Sequence, residues 1–134
     1  MTYWVCALAI AGLLLSAPVR ARPLAANDDA CASAANTVDN QKCQADQLNK
    51  AEHELAGLTA KIESHLRNDD TTRQAFDAAQ SAWRTDVRRT CDDMDYLQFG
   101  QGTARQTEPM RCTVAMTRQR TALLRDLFYV MLND

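Results

Sequence analysis

The sequence predicts an all-α fold, a small antiparallel three-helix bundle stapled by two disulfides. Apolar residues recur every three or four positions in three long segments, and no segment alternates as a half-buried strand does. Four cysteines, Cys31, Cys43, Cys91 and Cys112, follow an apolar leader. An even set of cysteines behind an export signal is typical of a disulfide framework that forms in an oxidising compartment.

The leader, residues 1–26, is predicted to be a secretory signal peptide. Residues 3–17 form an apolar run that is too short to span a membrane comfortably, and small residues follow it up to Ala26. No Lys or Arg precedes the run, so an uncleaved anchor is the alternative interpretation. With cleavage, residues 27–134 form one domain. We then expect a periplasmic or secreted protein with no stable insertion into a membrane.

The charge balance argues against a nucleic-acid partner. The full chain has 15 basic and 17 acidic residues, a net charge of −2. Loss of Arg20 and Arg22 with the leader leaves 13 basic residues against 17 acidic ones, a net charge of −4. Nucleic-acid phosphates require a basic surface. We therefore expect a protein partner, and the acidic balance favours a basic one.

The first helix is predicted from about Thr37 to Arg67, with Asn36 or Thr37 as its N-cap. Its spacing gives one apolar seam, formed by Leu48, Ala51, Leu55, Leu58, Ile62 and Leu66. Asp70 or Thr71 is expected to cap a second helix from about Thr72 to Asp95. Its predicted inward residues are Phe76, Ala79, Trp83, Val87, Thr90, Cys91 and Met94. Trp83 is expected to be the largest anchor of the core.

A third helix is predicted after a long loop. The loop, residues 97–107, contains Gly100 and Gly102 and has no helical periodicity. Thr107 and Glu108 before Pro109 then indicate a helix start, since proline is tolerated in a first turn. The predicted inward residues of this helix are Cys112, Met116, Leu123, Leu127, Val130 and Met131.

Four cysteines allow three pairings, of which we favour Cys31–Cys43 with Cys91–Cys112. Cys31 precedes the first helix and can fold back over its opening turns to Cys43. Cys91 lies near the end of the second helix and Cys112 near the start of the third, so an antiparallel hairpin brings them together. The cysteine spacings do not match those of zinc sites, and no metal or cofactor is expected.

Three stretches in residues 31–124 carry a family resemblance. They are Cys31-x-x-Ala34-x-x-Thr37 with Cys43; Ala79-Gln80-Ser81-Ala82-Trp83 with Cys91; and Gly102-Thr103 with Cys112-x4-Thr117-x2-Arg120-x3-Leu124. Their combination and order resemble the LprI-type lysozyme-inhibitor-like domain family. The resemblance implies a helical bundle, and inhibition of lysozyme by analogy with a member of that family.

Two departures mark the chain as a divergent member. Where the family usually has Asp-x-x-Leu-Asn-x-x-Tyr on its first helix, residues 52–59 keep only the acid and the leucine. Val87-Arg88 replaces the usual Arg-Asp pair after the tryptophan. If those polar residues form a partner surface in the family, this chain has a different partner. If they only brace the bundle, the fold survives and the function stays open.

Catalysis is not expected. The two histidines, His53 and His65, are twelve residues apart on one helix. That separation is too long for a shared metal at about 1.5 Å of rise per residue, and neither histidine lies in a metal-binding motif. No nucleophile–base order, phosphate loop or nucleotide fingerprint occurs in the sequence.

The candidate partner-binding residues lie at the end of the second helix. They are Asp92, Asp93, Asp95, Tyr96, Gln98 and Phe99. Aromatic anchors contribute affinity, and acidic groups steer a basic partner. In the alternative interpretation, the aromatic residues pack onto the end of the bundle and the acids are solvated. Arg88 and Arg89 are close enough in sequence to serve as surface partners for the acids.

These observations favour an exported protein-binding module that inhibits lysozyme or a related cell-wall hydrolase by steric blockage. Two alternatives remain open at the level of sequence. One is a periplasmic immunity or accessory protein for another toxin or envelope enzyme. The other is a structural envelope-stress protein without inhibitory function.

Overall fold

The structure, a computed structural model, describes residues 30–93 and 107–134, and it contains helices and turns but no strand in these ranges. Helix α1 spans Thr37–His65 and is followed by a 3₁₀ turn, Leu66–Asn68. Helix α2 spans Asp70–Arg88 and continues into a π-helical turn, Arg89–Asp93. Helix α3 spans Glu108–Leu127, and a short helix α4, Tyr129–Asn133, ends the chain. The three predicted long helices are confirmed.

The described helix ends show how the sequence sets their positions. Asn36 caps α1, as predicted, because its side-chain oxygen accepts from the Asp39 backbone N–H at 3.0 Å. The cap predicted for α2 is wrong by one residue. Asp69 is the N-cap and accepts from the Thr72 backbone N–H at 3.0 Å. Asp70 instead pairs with Arg73 at 2.7 Å within the first turn, so its carboxylate is already engaged.

The three long helices run up, down and up, which confirms the antiparallel bundle. Arg118 donates to Gln47, and Arg125 lies 3.9 Å from Glu54. Later residues of α3 therefore meet later residues of α1, so the two helices are parallel. Arg120 of α3 bonds Gln80 of α2, and the Cys91–Cys112 disulfide joins later α2 sequence to earlier α3 sequence. Helix α2 is therefore antiparallel to α3. The backbones of α1 and α3 make the most extensive interhelical contact in the described part of the chain.

The predicted seam of α1 is confirmed. Its buried members are Ala51, Leu55, Leu58, Ile62 and Leu66, and Leu48 is half-buried. Four of these residues join Phe76 and Leu124 in the main hydrophobic cluster. Trp83, Phe128, Met131 and Leu132 pack against the cluster from its edge. The apolar core therefore lies around the second half of α1.

The predicted inward face of the last helix, which the structure divides into α3 and α4, is partly wrong. Leu123, Leu127 and Val130 are exposed, at 45%, 66% and 70%. The buried residues of α3 are Val114, Thr117, Thr121 and Leu124, while Cys112, Met116 and Met131 are half-buried. Threonine fits at the close α1–α3 contact because its hydroxyl can be satisfied within the helix: Thr121 donates to the Thr117 carbonyl at 2.9 Å. Apolar periodicity cannot predict that these threonines are buried, because threonine is not counted as an apolar residue.

The predicted face of α2 is also corrected at two positions. Phe76, Val87 and Cys91 are buried as expected, but Ala79 is exposed and the adjacent Gln80 is buried. Trp83 is half-buried and is not the main core anchor. Ile62 and Leu124 are the largest side chains that are fully buried. Of the other two predicted inward residues, Thr90 is half-buried, and Met94 lies outside the described residues.

Candidate functional site

Both predicted disulfides are present. Cys31 and Cys43 join the turn before α1 to the second turn of that helix, with a Cα–Cα separation of 5.7 Å. Cys91 and Cys112 join the π-helical turn to the start of α3, with a Cα–Cα separation of 5.4 Å. Both separations lie in the usual range for a disulfide. The cross-links sit at the end of the bundle where α1 and α3 begin and α2 ends.

The acidic pole, which we define as Asp92, Asp93 and Asp95, begins directly after the second disulfide. Cys91 is fully buried, and its Sγ lies 3.5 Å from the sulfur of Met116. Asp92 and Asp93 are exposed in the same π-helical turn. The disulfide therefore fixes the backbone from which these two carboxylates project. Asp95, Tyr96, Gln98 and Phe99, the other predicted partner-binding residues, lie outside the described residues.

Exposed and half-buried charges surround the described part of this pole. Arg88 and Arg89 are exposed one turn before the two carboxylates. At the start of α3, Arg111 pairs with Glu108 at 2.6 Å. Because these arginines are positively charged, the net charge of the chain does not by itself decide whether a basic partner is attracted to the pole. The attraction also depends on how the two carboxylates project from the surface.

A groove of about 290 Å³ opens between α1, α2 and α3. The α1 wall consists of Glu52, Leu55, Ala56 and Thr59; the α2 wall of Gln80, Trp83, Arg84 and Val87; and the α3 wall of Thr113 and Thr117. Its volume lies just below the roughly 300–1,000 Å³ that is typical of small-ligand sites. The groove combines a buried amide, an indole ring and charged residues of both signs.

A glutamine–arginine pair organises the α2 wall of the groove. Gln80 is 5% exposed, and its Oε1 accepts from Arg120 Nε at 2.8 Å and from a second guanidinium nitrogen at 2.5 Å. The Arg120 guanidinium also lies over the Trp83 ring, 6.0 Å from its centroid, a cation–π geometry. Partial burial lowers the pKa of Arg120, but a guanidinium remains protonated in proteins.

Neither Gln80 nor Arg120 was predicted from the sequence to be a functional residue. Both residues occur in the stretches that carry the family resemblance, and the structure brings these stretches together with Trp83 at one contact. The available signal was the spacing from Gln80 to Trp83, which places both side chains on one helix face. Periodicity of apolar residues cannot detect that signal, because the residue that faces inward is an amide.

Other candidate sites receive no support within residues 30–93 and 107–134. His53 and His65 are both exposed, and no group of three His, Cys, Asp or Glu side chains could hold a metal. A wider depression of about 440 Å³ is lined by Glu63, Arg67, Arg73 and Asp77, all of them exposed. None of the described helices is long and apolar enough to cross a membrane.

Comparison with known proteins identifies the family. A family model described as lysozyme inhibitor LprI matches residues 28–124, which include both disulfides, the acidic pole and the groove. Searches among curated proteins and among solved structures found no match. Because the family match covers well over half of the chain, the protein belongs to the lysozyme inhibitor LprI family.

Proposed function

We propose that this protein is exported and inhibits a lysozyme or a related cell-wall hydrolase by occupying its substrate cleft. Membership of the lysozyme inhibitor LprI family carries the proposal. The mechanism is steric: one rigid end of the bundle blocks access to the cleft, and the chain contributes no chemical step. Binding of a protein partner, without any cofactor, is sufficient for this activity.

Export is supported by the leader and by the disulfides. Residues 1–26 have the pattern of a secretory signal peptide, and removal of this segment leaves the domain that the family match covers. Two disulfides are typical of small proteins in oxidising compartments. The proposed location is therefore the periplasm or the medium outside the cell.

The acidic pole is the proposed contact surface. Asp92 and Asp93 are exposed beside a disulfide that holds their backbone, so binding would lose little backbone entropy there. Tyr96 and Phe99 follow in sequence and are proposed to supply aromatic anchors, with Gln98 as a hydrogen-bonding group. The net charge of −4 after residue 26 would accelerate encounter with a basic lysozyme.

The decisive experiment measures lysozyme inhibition and the association rate against ionic strength. The test variant changes Asp92, Asp93 and Asp95 together to Asn. A control variant makes three equivalent changes, Glu63→Gln, Asp77→Asn and Asp126→Asn, at exposed positions away from the pole. Both variants lose the same net charge, so a difference between them reports on position.

The expected result is a slower association for the pole variant than for the control, with the largest gap at low salt. At about 0.15 M salt, screening limits the reach of a charge to about 8 Å. Equal association rates for the two variants would show that the acidic pole is not the contact surface. That result would not contradict the proposal that the protein inhibits lysozyme. If the wild type neither binds nor inhibits lysozyme, the inhibitor proposal fails. A pull-down with other muramidases, amidases and toxins would then separate the immunity or accessory function from a structural one.

A further inference from the structure

The groove between the three long helices contains hydrogen-bond donors that the fold does not use. Arg120 can only donate, so the oxygen of the Gln80 amide must face Arg120 and its NH₂ group must point away. Gln80 is 5% exposed, so it is 95% buried, and it lines the groove. No acceptor for the amide NH₂ lies within hydrogen-bonding distance among residues 30–93 and 107–134.

A buried donor without a partner is unfavourable unless water or a ligand satisfies it. Two further donors line the same α2 wall: the indole N–H of Trp83 and the exposed guanidinium of Arg84. Neither has a hydrogen-bond acceptor or an ion-pair partner in the described part of the chain. The α2 wall therefore presents three types of donor, one of them charged, within five consecutive residues, or slightly more than one turn of helix.

Of the three threonines that line the groove, Thr117 is buried and its hydroxyl has no hydrogen-bond partner in the described part of the chain, whereas the other two hydroxyls add no donor. Thr59 donates to the Ala56 carbonyl at 3.0 Å, and Thr113 donates to the Pro109 carbonyl at 2.9 Å. Leu55, Ala56 and Val87 supply apolar surface beside the donors. A complementary ligand thus has a group with several acceptors, preferably anionic, attached to a small apolar part.

We propose that this groove binds a carboxylate-bearing ligand. The carboxylate would accept from the Gln80 amide and the Arg84 guanidinium, which are donors suited to its two oxygens. The apolar part of the ligand would lie against Trp83 and Val87. The site is distinct from the acidic pole, so it does not depend on lysozyme inhibition and can be tested separately.

Glu52 is the one carboxylate among the lining residues. Removing its charge tests whether the groove prefers an anionic or a cationic ligand. Glu52 lies on the α1 wall and is exposed, so solvent partly screens its repulsion of an anionic ligand. Removing its charge should improve the binding of a carboxylate. Removing it should weaken the binding of a cation.

The experiment titrates the full chain with matched acid and amide probes and follows the Gln80 side-chain NH₂ resonance by NMR. One pair is phenylacetate and phenylacetamide. The other is the capped peptide acetyl-Gly-Glu-Gly-amide and its Gln counterpart. Within each pair, the amide replaces one oxygen of the charged carboxylate by a neutral NH₂ group, so it loses the negative charge and one acceptor. Arg84→Gln is the test variant, and Arg88→Gln, at an exposed position outside the groove, is its matched control.

The proposal expects at least one acid probe to shift the Gln80 resonance more strongly than its amide. Arg84→Gln should then raise the Kd at least fivefold, Arg88→Gln should leave it unchanged, and Glu52→Gln should lower it. Tighter binding of phenylacetate would identify a small organic acid, and tighter binding of the Glu peptide an acidic side chain. The proposal is overturned if neither acid binds, if the amides bind equally well, or if Glu52→Gln weakens binding.

Discussion

The two ends of the bundle are stabilised by different interactions. At one end, where α1 meets α2, the core is apolar: Ile62, Leu66 and Phe76 are buried together, and Phe76 packs edge-on against Phe128 at 5.7 Å. At the other end, two disulfides accompany a buried Gln44 and a half-buried start of α3. Gln80, Thr117 and Thr121 lie between these regions as buried polar residues.

The difference shows what a chain of this size can achieve with side-chain packing alone. A small domain buries a limited fraction of its apolar surface, and here the described apolar cluster is concentrated towards one end. Cross-links at the other end lower the entropy of the unfolded chain and do not require additional apolar residues. The cross-linked end can therefore display polar groups such as Asp92 and Asp93 without losing its fixed backbone.

The largest expected effect lies in the apolar cluster, where adjacent leucines provide a matched pair. Leu124 is 1% exposed and Leu123 is 45% exposed. Leu124→Ala should reduce the free energy of unfolding by about 2–5 kcal/mol, because it removes transfer energy and leaves a cavity. Leu123→Ala should change it by at most about 0.5 kcal/mol. Urea unfolding of both variants measures the difference, and equal losses would contradict the described packing of α3.

At the cross-linked end, removal of a disulfide should cost about 3 kcal/mol in the chain-entropy model. The Cys91→Ser/Cys112→Ser variant should lose slightly more than Cys31→Ser/Cys43→Ser, because the sequence separations are 21 and 12. Urea unfolding gives the stabilities, and hydrogen exchange at the start of α3 shows where protection is lost. Unchanged stability in both variants would show that packing alone holds this end.

A smaller effect is expected at the buried polar contact between the two regions. Gln80→Leu should cost about 1–3 kcal/mol, because it leaves the partly buried Arg120 without its acceptor. Adding Arg120→Met should recover much of that loss, since neither polar partner is then left alone. A double-mutant cycle in urea measures the coupling. Additive losses would mean that the pair contributes nothing beyond its separate side chains.

The smallest predicted effect is a pH dependence at the cap of α2. Hydrogen bonds from the Thr72 side chain and backbone lower the pKa of Asp69 from its ordinary value of 3.8. A lowered folded-state pKa stabilises the protein above this ordinary, unfolded-state pKa, and the contribution is lost as pH falls through the folded-state value. Wild-type Tm should therefore drop more steeply below about pH 4 than that of Asp69→Asn.

Asn retains an N-cap acceptor, so that variant isolates the charge from the cap. Measurements of Tm in steps between neutral and acidic pH would supply the comparison. Parallel curves for the two proteins would show that the Asp69 carboxylate does not contribute to acid sensitivity.

Apolar periodicity predicts the buried residues correctly where a helix carries one clear apolar stripe. The α1 seam is continuous from Ala51 to Leu66, so helical periodicity identified every buried member of it. In the last predicted helix, which the structure divides into α3 and α4, apolar residues occupy more than one face, and periodicity selected Leu127 and Val130, which are exposed. Residue type alone could not show that threonines would occupy the close contact with α1.

In the candidate site, too, some features were predicted from the sequence and others were not. The pairing of Cys91 with Cys112 followed from helix order, because consecutive antiparallel helices bring such neighbouring ends together. The position of Asp92 and Asp93 beside that disulfide followed as well. The contact of Gln80 with Arg120 did not follow from periodicity, since it joins residues 40 positions apart on the polar edges of two helices.

By itself, the sequence determined the all-α class, the three long helices and the α1 seam, and it favoured the disulfide pairing that the structure confirms. These features depend on local propensity, residue spacing and chain order, all of which can be read from the sequence. Only the tertiary structure decided the rotation of α3, the partial burial of Trp83 and the groove with its unused amide donors. Those features depend on which side chains fit when three helices pack at once, and that fit is a property of all the facing surfaces together.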